Sequence, residues 1–185
     1  MTVLKLGSLF DGIGVFPLAA MYCGIEPVWA SEIEARPISI TKRHFPDMLH
    51  LGDITKINGA EVPPVDVITF GSPCQDLSQI GTRNGFAGKK SSLFYQAMRI
   101  IEEMRYATNG RYPAFCIWEN VAGAFSSNDR LDFAAMLRAF TGAEVSVPPR
   151  GWAHAGMVRG GRADTAWRLL DAQYWGEPAL VQRRK

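Results

Sequence analysis

Several strand-length apolar runs in this chain end on a residue able to do chemistry, and the run from Val65 to Phe70 is the most telling. It continues as G-S-P-C-Q-D-L and so delivers Cys74 onto a Pro-Cys-Gln turn. Gly71, Ser72 and Pro73 cannot prolong a strand, which places the thiol at a carboxyl end, the edge where open α/β sheets gather their active sites. A thiolate there is a nucleophile. A free cysteine is more often packed as a small hydrophobe, but Pro73, Gln75 and Asp76 beside it argue against that fate. A second run, Ala114 to Trp118, is followed by Glu119 and Asn120. Its carboxylate and amide arrive at the same edge, able to hydrogen-bond or protonate a substrate next to the thiolate. A Cys-His enzyme is the rival, yet none of His44, His50 and His154 follows a strand as Glu119 does.

A different chemistry gathers near the amino terminus. The first run, Leu4 to Phe10, opens into F-D-G-I-G and then a helix. Gly12 and Gly14 let backbone approach a ligand, as in the start of a dinucleotide fingerprint, but Pro17 stands where its third glycine would be. A pyrophosphate cradle is therefore disfavoured, while an adenosine without phosphates remains compatible. Glu32, after the run Pro27 to Ser31, stands where an acid would accept ribose hydroxyls, and Asp53, in G-D-I-T, could accept an adenine amino group. Each acid alone could as easily cap a helix or sit in solvent. Their shared edge favours the functional reading.

The elements that must position these residues alternate. Leu4–Phe10, Pro27–Ser31, Met48–Leu51, Val65–Phe70 and Ala114–Trp118 have strand character, and Phe16–Cys23, Ala35–His44, Leu93–Tyr106 and Leu131–Phe140 have helical periodicity. That alternation predicts an α/β fold with a mostly parallel sheet flanked by helices. Val147 to Asp164, rich in Gly, Pro and Arg, is expected to be a loop leading to a strand at Trp167–Leu170. With 185 residues the chain suits one domain. Its apolar runs fall short of a membrane helix, and its amino terminus lacks the pattern of a secretory signal, so a cytoplasmic setting is expected. Three scattered cysteines predict reduced thiols and no structural metal. A net charge of +2 permits nucleic acid without arguing for it.

Taken in order, these motifs resemble the cytosine-C5 DNA methyltransferases, which use S-adenosylmethionine. Phe10, Gly12 and Gly14 match the family's first turn, Glu32 its ribose acid, Asp53 its adenine-side acid, and Pro73–Cys74–Gln75 its nucleophile motif. Glu119–Asn120–Val121 matches its Glu-Asn-Val motif, Asp76 to Phe94 its catalytic loop, and Asp171 to Arg184 the approach to its Gln-x-Arg-x-Arg motif.

The resemblance implies a Rossmann-like methyltransferase domain acting by base flipping on duplex DNA, with S-adenosylhomocysteine as product. It implies Cys74, Glu119 and Arg184 as catalytic residues and Gln75, Ser78, Arg83 and Asn120 as substrate contacts. Cofactor would be held by Phe10, Gly12, Ile13 and Gly14, by the pairs Glu32–Ile33 and Asp53–Ile54, and by Pro73 and Leu93. Family members continue past this point into a target-recognition region. Gln182 and Arg184 match the first two anchors of their motif, and the second arginine would fall beyond Lys185. The chain is thus expected to be the amino-terminal catalytic portion, with a complementing chain or self-association as its protein partner. The alternatives are a catalytically incomplete fragment or split subunit and, from another class, a nicotinamide-dependent oxidoreductase.

Overall fold

A computed structural model describes residues 2–72, 93–171 and 174. Its centre is a five-stranded sheet built from β1 (Lys5–Leu9), β2 (Glu26–Ser31), β3 (Leu49–His50), β4 (Val67–Phe70) and β5 (Phe115–Trp118), in the order β3-β2-β1-β4-β5 with every pairing parallel. Parallel neighbours need crossovers. Helices α1 (Val15–Tyr22), α2 (Ala35–His44) and α3 (Leu93–Ala107) lie between the strands, and α4 (Leu131–Thr141) follows β5. Successive strands are added on one side of β1 up to β3 and on the other side from β4 onward, so β1 and β4 flank the switch point at which such sheets bind ligands beyond their carboxyl ends.

The sequence explains the layers. All four residues of β4 are buried, as a central strand covered on both faces requires. Helix α3 buries Phe94, Ala97, Met98, Ile101 and Met104, a helical stripe that packs with Leu9, Ile68 and Phe70 on one face. On the other face Leu6 and Val67 meet Ala20 of α1. Gly7 is required by its neighbour: a Cβ there would stand 2.2 Å from the Trp29 ring.

The predicted strands and helices all appear, with ends shifted by a few residues. One expectation is corrected. The stretch Val147 to Asp164 is not loop throughout: it contains β6 (Ala155–Val158), which pairs antiparallel with β7 (Thr165–Arg168), so the strand expected at Trp167–Leu170 begins earlier and belongs to a hairpin. The sequence hid β6 because Gly156 weakens strand character. In the fold that glycine makes room for the cross-strand Trp167, whose ring would lie 2.2 Å from a Cβ at Gly156.

Candidate active site

The turn after β1 is held from its neighbour β2. Phe10, Gly12 and Gly14 have φ of 54°, 57° and 84°, left-handed values that glycine adopts freely. At Gly14 space is limiting as well, since a Cβ would approach Phe45 and Thr41 to 2.9 Å. The amide of Asp11 donates to the Ser31 carbonyl (3.0 Å), and that of Gly14 to the Asp11 carbonyl (3.1 Å). Glu32 completes the brace: Oε2 accepts from the Gly12 amide at 2.8 Å, and Oε1 accepts from the amides of Ile33 (2.8 Å) and Glu34 (3.0 Å). An ionised carboxylate offers about four acceptor sites, so Oε2 keeps one for a ligand hydroxyl. Ile13 and Ile33 stand exposed on either side, apolar surface that a ligand could cover.

Asp53 follows β3 and begins a short 3-10 turn, Ile54–Lys56. Its Oδ1 accepts from the Thr55 amide (2.9 Å) and hydroxyl (2.8 Å), bonds that hold the carboxyl below the usual aspartate value and keep it ionised. The Ile54 side chain is buried in the core. Leu93 opens α3 and packs, half-buried, against the same core.

The carboxyl ends of β4 and β5 are tied to each other. The Glu119 amide donates to the Phe70 carbonyl at 2.9 Å, and its Oε2 would lie 3.1 Å from a Cβ at Gly71. The Trp118 indole donates to the Ser72 hydroxyl at 3.2 Å. Asn120 accepts from the Val121 amide through its side-chain oxygen (2.8 Å). Glu119 therefore stands over Gly71–Ser72, beside the point where Pro73 and Cys74 follow in sequence. Pro73, Cys74, Gln75, Ser78, Arg83 and Arg184 lie outside the described residues. Cys116, on β5, opens onto an apolar groove of about 1140 Å³ between β5, α3, α4 and β7. Crowding there pushes its thiol up to about 12, with Arg105 pulling the other way, so it is not a thiolate at neutral pH.

One residue at this edge escaped the sequence reading. Asp11 is 6% exposed, and neither of its carboxylate oxygens has a hydrogen-bond partner. Burial raises its carboxyl to about 6; the Ser8 hydroxyl, close by but short of a well-formed bond, offsets part of this, and Glu32 adds to it. The available signal was an acid inside a glycine turn directly after a buried strand.

A doubly wound parallel sheet that carries Asp11, Glu32 and Asp53 beyond the carboxyl ends of β1, β2 and β3 has the layout of an open α/β domain with its site at that edge. The match is closer than that. The family model for C-5 cytosine-specific DNA methylases covers residues 4–184, and the chain belongs to that family. It is similar to the type II methyltransferase M.HhaI of Haemophilus parahaemolyticus, 33% identical over 70% of this chain and 37% of that protein. It also resembles a protein of Escherichia phage P1 named DNA N-6-adenine-methyltransferase, 29% identical over the whole chain and 28% of the relative. In fold it resembles the crystal structure of a prophage-encoded DNA modification methyltransferase from E. coli, with a TM-score of 0.55 and 21% identity over 84% of this chain and 39% of that one. The chain thus spans about a third of the length of the curated relatives it matches. No helix among the described residues is long and apolar enough to cross a membrane.

Proposed function

We propose that the chain carries the cofactor and catalytic half of a DNA (cytosine-5-)-methyltransferase that uses S-adenosylmethionine and acts on a cytosine turned out of the duplex. The observation that carries this reading is Glu119, braced to the end of β4 over Gly71, two residues before the Pro-Cys-Gln sequence. The cofactor's chemistry fits the other end of the crevice. Glu32 has one acceptor left for a ribose hydroxyl, Asp53 is an ionised acceptor for an adenine amine, and Ile13 and Ile33 offer exposed apolar cover. When bound, the cofactor supplies a methyl group on a sulfonium sulfur.

The residues then have separable tasks. Cytosine C5 is a poor nucleophile. The Cys74 thiolate adds to C6 while Glu119 hydrogen-bonds N3 and the exocyclic amine, and the electron pair of the C5–C6 double bond becomes available at C5. After C5 is methylated, loss of its proton and departure of the thiolate restore the ring. Stacking hides C5, so the base has to leave the duplex, as methyltransferases generally require. Asn120 stands beside Glu119 to meet the flipped base, while Ser78 and Arg83 suit phosphate contacts that fix the strand's position. Arg184, matched to the first arginine of the Gln-x-Arg-x-Arg motif, would serve the same reaction. This reaction belongs in the cytoplasm with duplex DNA, and a complementing chain or a second copy completes the recognition of sequence.

The name of the phage P1 relative raises methylation of adenine N6. That amine carries its own lone pair and gives a thiolate no task, so the Pro-Cys-Gln and Glu-Asn-Val strings favour cytosine. The test is covalent trapping: the chain, alone and together with a carboxyl-terminal portion, is incubated with cofactor and duplexes containing 5-fluorocytosine. A stable protein–DNA adduct that disappears in Cys74→Ser is expected. Methyl transfer to adenine, with no adduct, would overturn the reading.

A further inference from the structure

The adenine-side acid is held by a clamp that belongs to another element. Arg99, on α3, donates through Nη2 to the Ile54 carbonyl (3.0 Å) and through Nη1 to the Ile57 carbonyl (2.7 Å), so it binds both ends of the short turn that Asp53 begins. Its guanidinium is fixed in turn by Glu103, with both carboxylate oxygens 2.9 Å from Nη1, and by Gln96, which accepts from Nε at 2.9 Å. Glu103 also accepts from the Gly59 amide at 2.7 Å. Gly59 lies so close to α3 that a Cβ would stand 2.2 Å from the Ile100 carbonyl. The side chains of Ile54 and Ile57 are buried in the core.

Asp53 is tied to this turn from the other end. Only Oδ1 bonds to Thr55, so the direction of Oδ2 is set by the path of residues 53–57. The core fixes that path loosely, because apolar packing is non-directional. The Arg99 fork fixes it angularly, because a guanidinium presents its donors in one plane. From this geometry we infer that Arg99, oriented by Glu103, is a positioning residue that aims Asp53 and thereby sets the preference of the cofactor pocket for a 6-amino purine. The inference rests on the cofactor reading given above.

The experiment titrates the full chain calorimetrically with S-adenosylhomocysteine and with S-inosylhomocysteine, its 6-oxo analogue. The wild type should favour the amino compound by about tenfold or more, the worth of one hydrogen bond to a charged acceptor. Arg99→Met should shrink that preference to about threefold or less while thermal unfolding stays cooperative, and Arg99→Lys, which keeps the charge but not the planar fork, should fall between. Should the Met variant not fold, the Lys variant alone decides. A purely structural role would weaken both ligands equally and leave their ratio untouched, and that outcome overturns the inference. Wild-type protein that binds the two compounds equally would instead overturn the adenine reading of Asp53, and the inference with it.

Discussion

The two ends of the crevice hold their acids in different ways. Around Glu32 and Asp53 the acids are bonded to backbone amides of their own and neighbouring turns, and the turn beyond Asp53 is held by α3. Around Glu119, among the described residues, the Glu119 amide donates to Phe70, the Trp118 indole to Ser72 and the Val121 amide to the Asn120 side chain, while Phe115, Ile117 and Val121 stand open to solvent on or next to β5. On the function proposed above, the braced acids of the first half meet the cofactor's nucleoside and Glu119 meets the target base, so the two halves divide binding from chemistry. Affinity for the cofactor should therefore be a property of the β1–β3 half, and turnover a property of the β4–β5 half.

The sharpest way to break that division is Cys74→Ser. It should abolish tritium transfer from labelled S-adenosylmethionine to DNA in any active form of the protein, yet change the dissociation constant for S-adenosylhomocysteine by no more than about twofold. Transfer near the wild-type rate would remove the thiol from the chemistry.

Next in size is Glu119→Gln, which keeps shape and loses the acid–base group that engages the base. Single-turnover methylation should slow by about a hundredfold or more, within the range of a general acid–base contribution, with cofactor affinity again unmoved. A parallel loss of cofactor affinity would show that the two halves are not separable.

Glu32→Ala reverses the pattern. Both the ligand's acceptor and the brace on the Gly12 amide disappear, and bonds to a charged group are worth roughly 1.5–3 kcal/mol each. Binding of S-adenosylhomocysteine should weaken by about a hundredfold by calorimetry. Unchanged affinity would move the ribose site elsewhere.

The smallest effect concerns Asp11. Its folded value of about 6 lies above the ordinary 3.8, so the folded chain holds a proton that the unfolded chain has released between those two pH values. Stability is then highest below the ordinary value and falls as pH rises through 6, by about 2 kcal/mol once the site relaxes. Asp11→Asn removes this dependence. The variant should gain in melting temperature relative to wild type at pH 7.5 and lose that gain at pH 4; an equal difference at both would show that the carboxyl does not titrate as its burial demands.

Much of this was legible in the chain itself because local chemistry and global fold agree along it. The β-branched run of β4 and the glycines after β1 each leave a pattern that only a few conformations satisfy. What escaped depends on partners distant in sequence. Gly156 discourages a strand locally and is tolerated only because Trp167 covers it across the hairpin. Asp11 looked like one more polar turn residue, and its burial appears only once the turn is tied to β2 through the Ser31 carbonyl. Arg99 gave no signal at all, since a helix-face arginine becomes informative only when the carbonyls of Ile54 and Ile57 are seen beneath it.

Gly71 has a consequence of its own. A methyl group at that position would meet the Glu119 carboxylate at 3.1 Å, a separation that demands a yield of a few tenths of an ångström from the far end of a flexible side chain. The site would then be detuned by degrees, without being switched off. Position 71 is thus a trimming screw on the acid's reach: on the proposed function, progressively larger residues there should give a graded ladder of turnover at constant cofactor affinity, without touching any group that reacts.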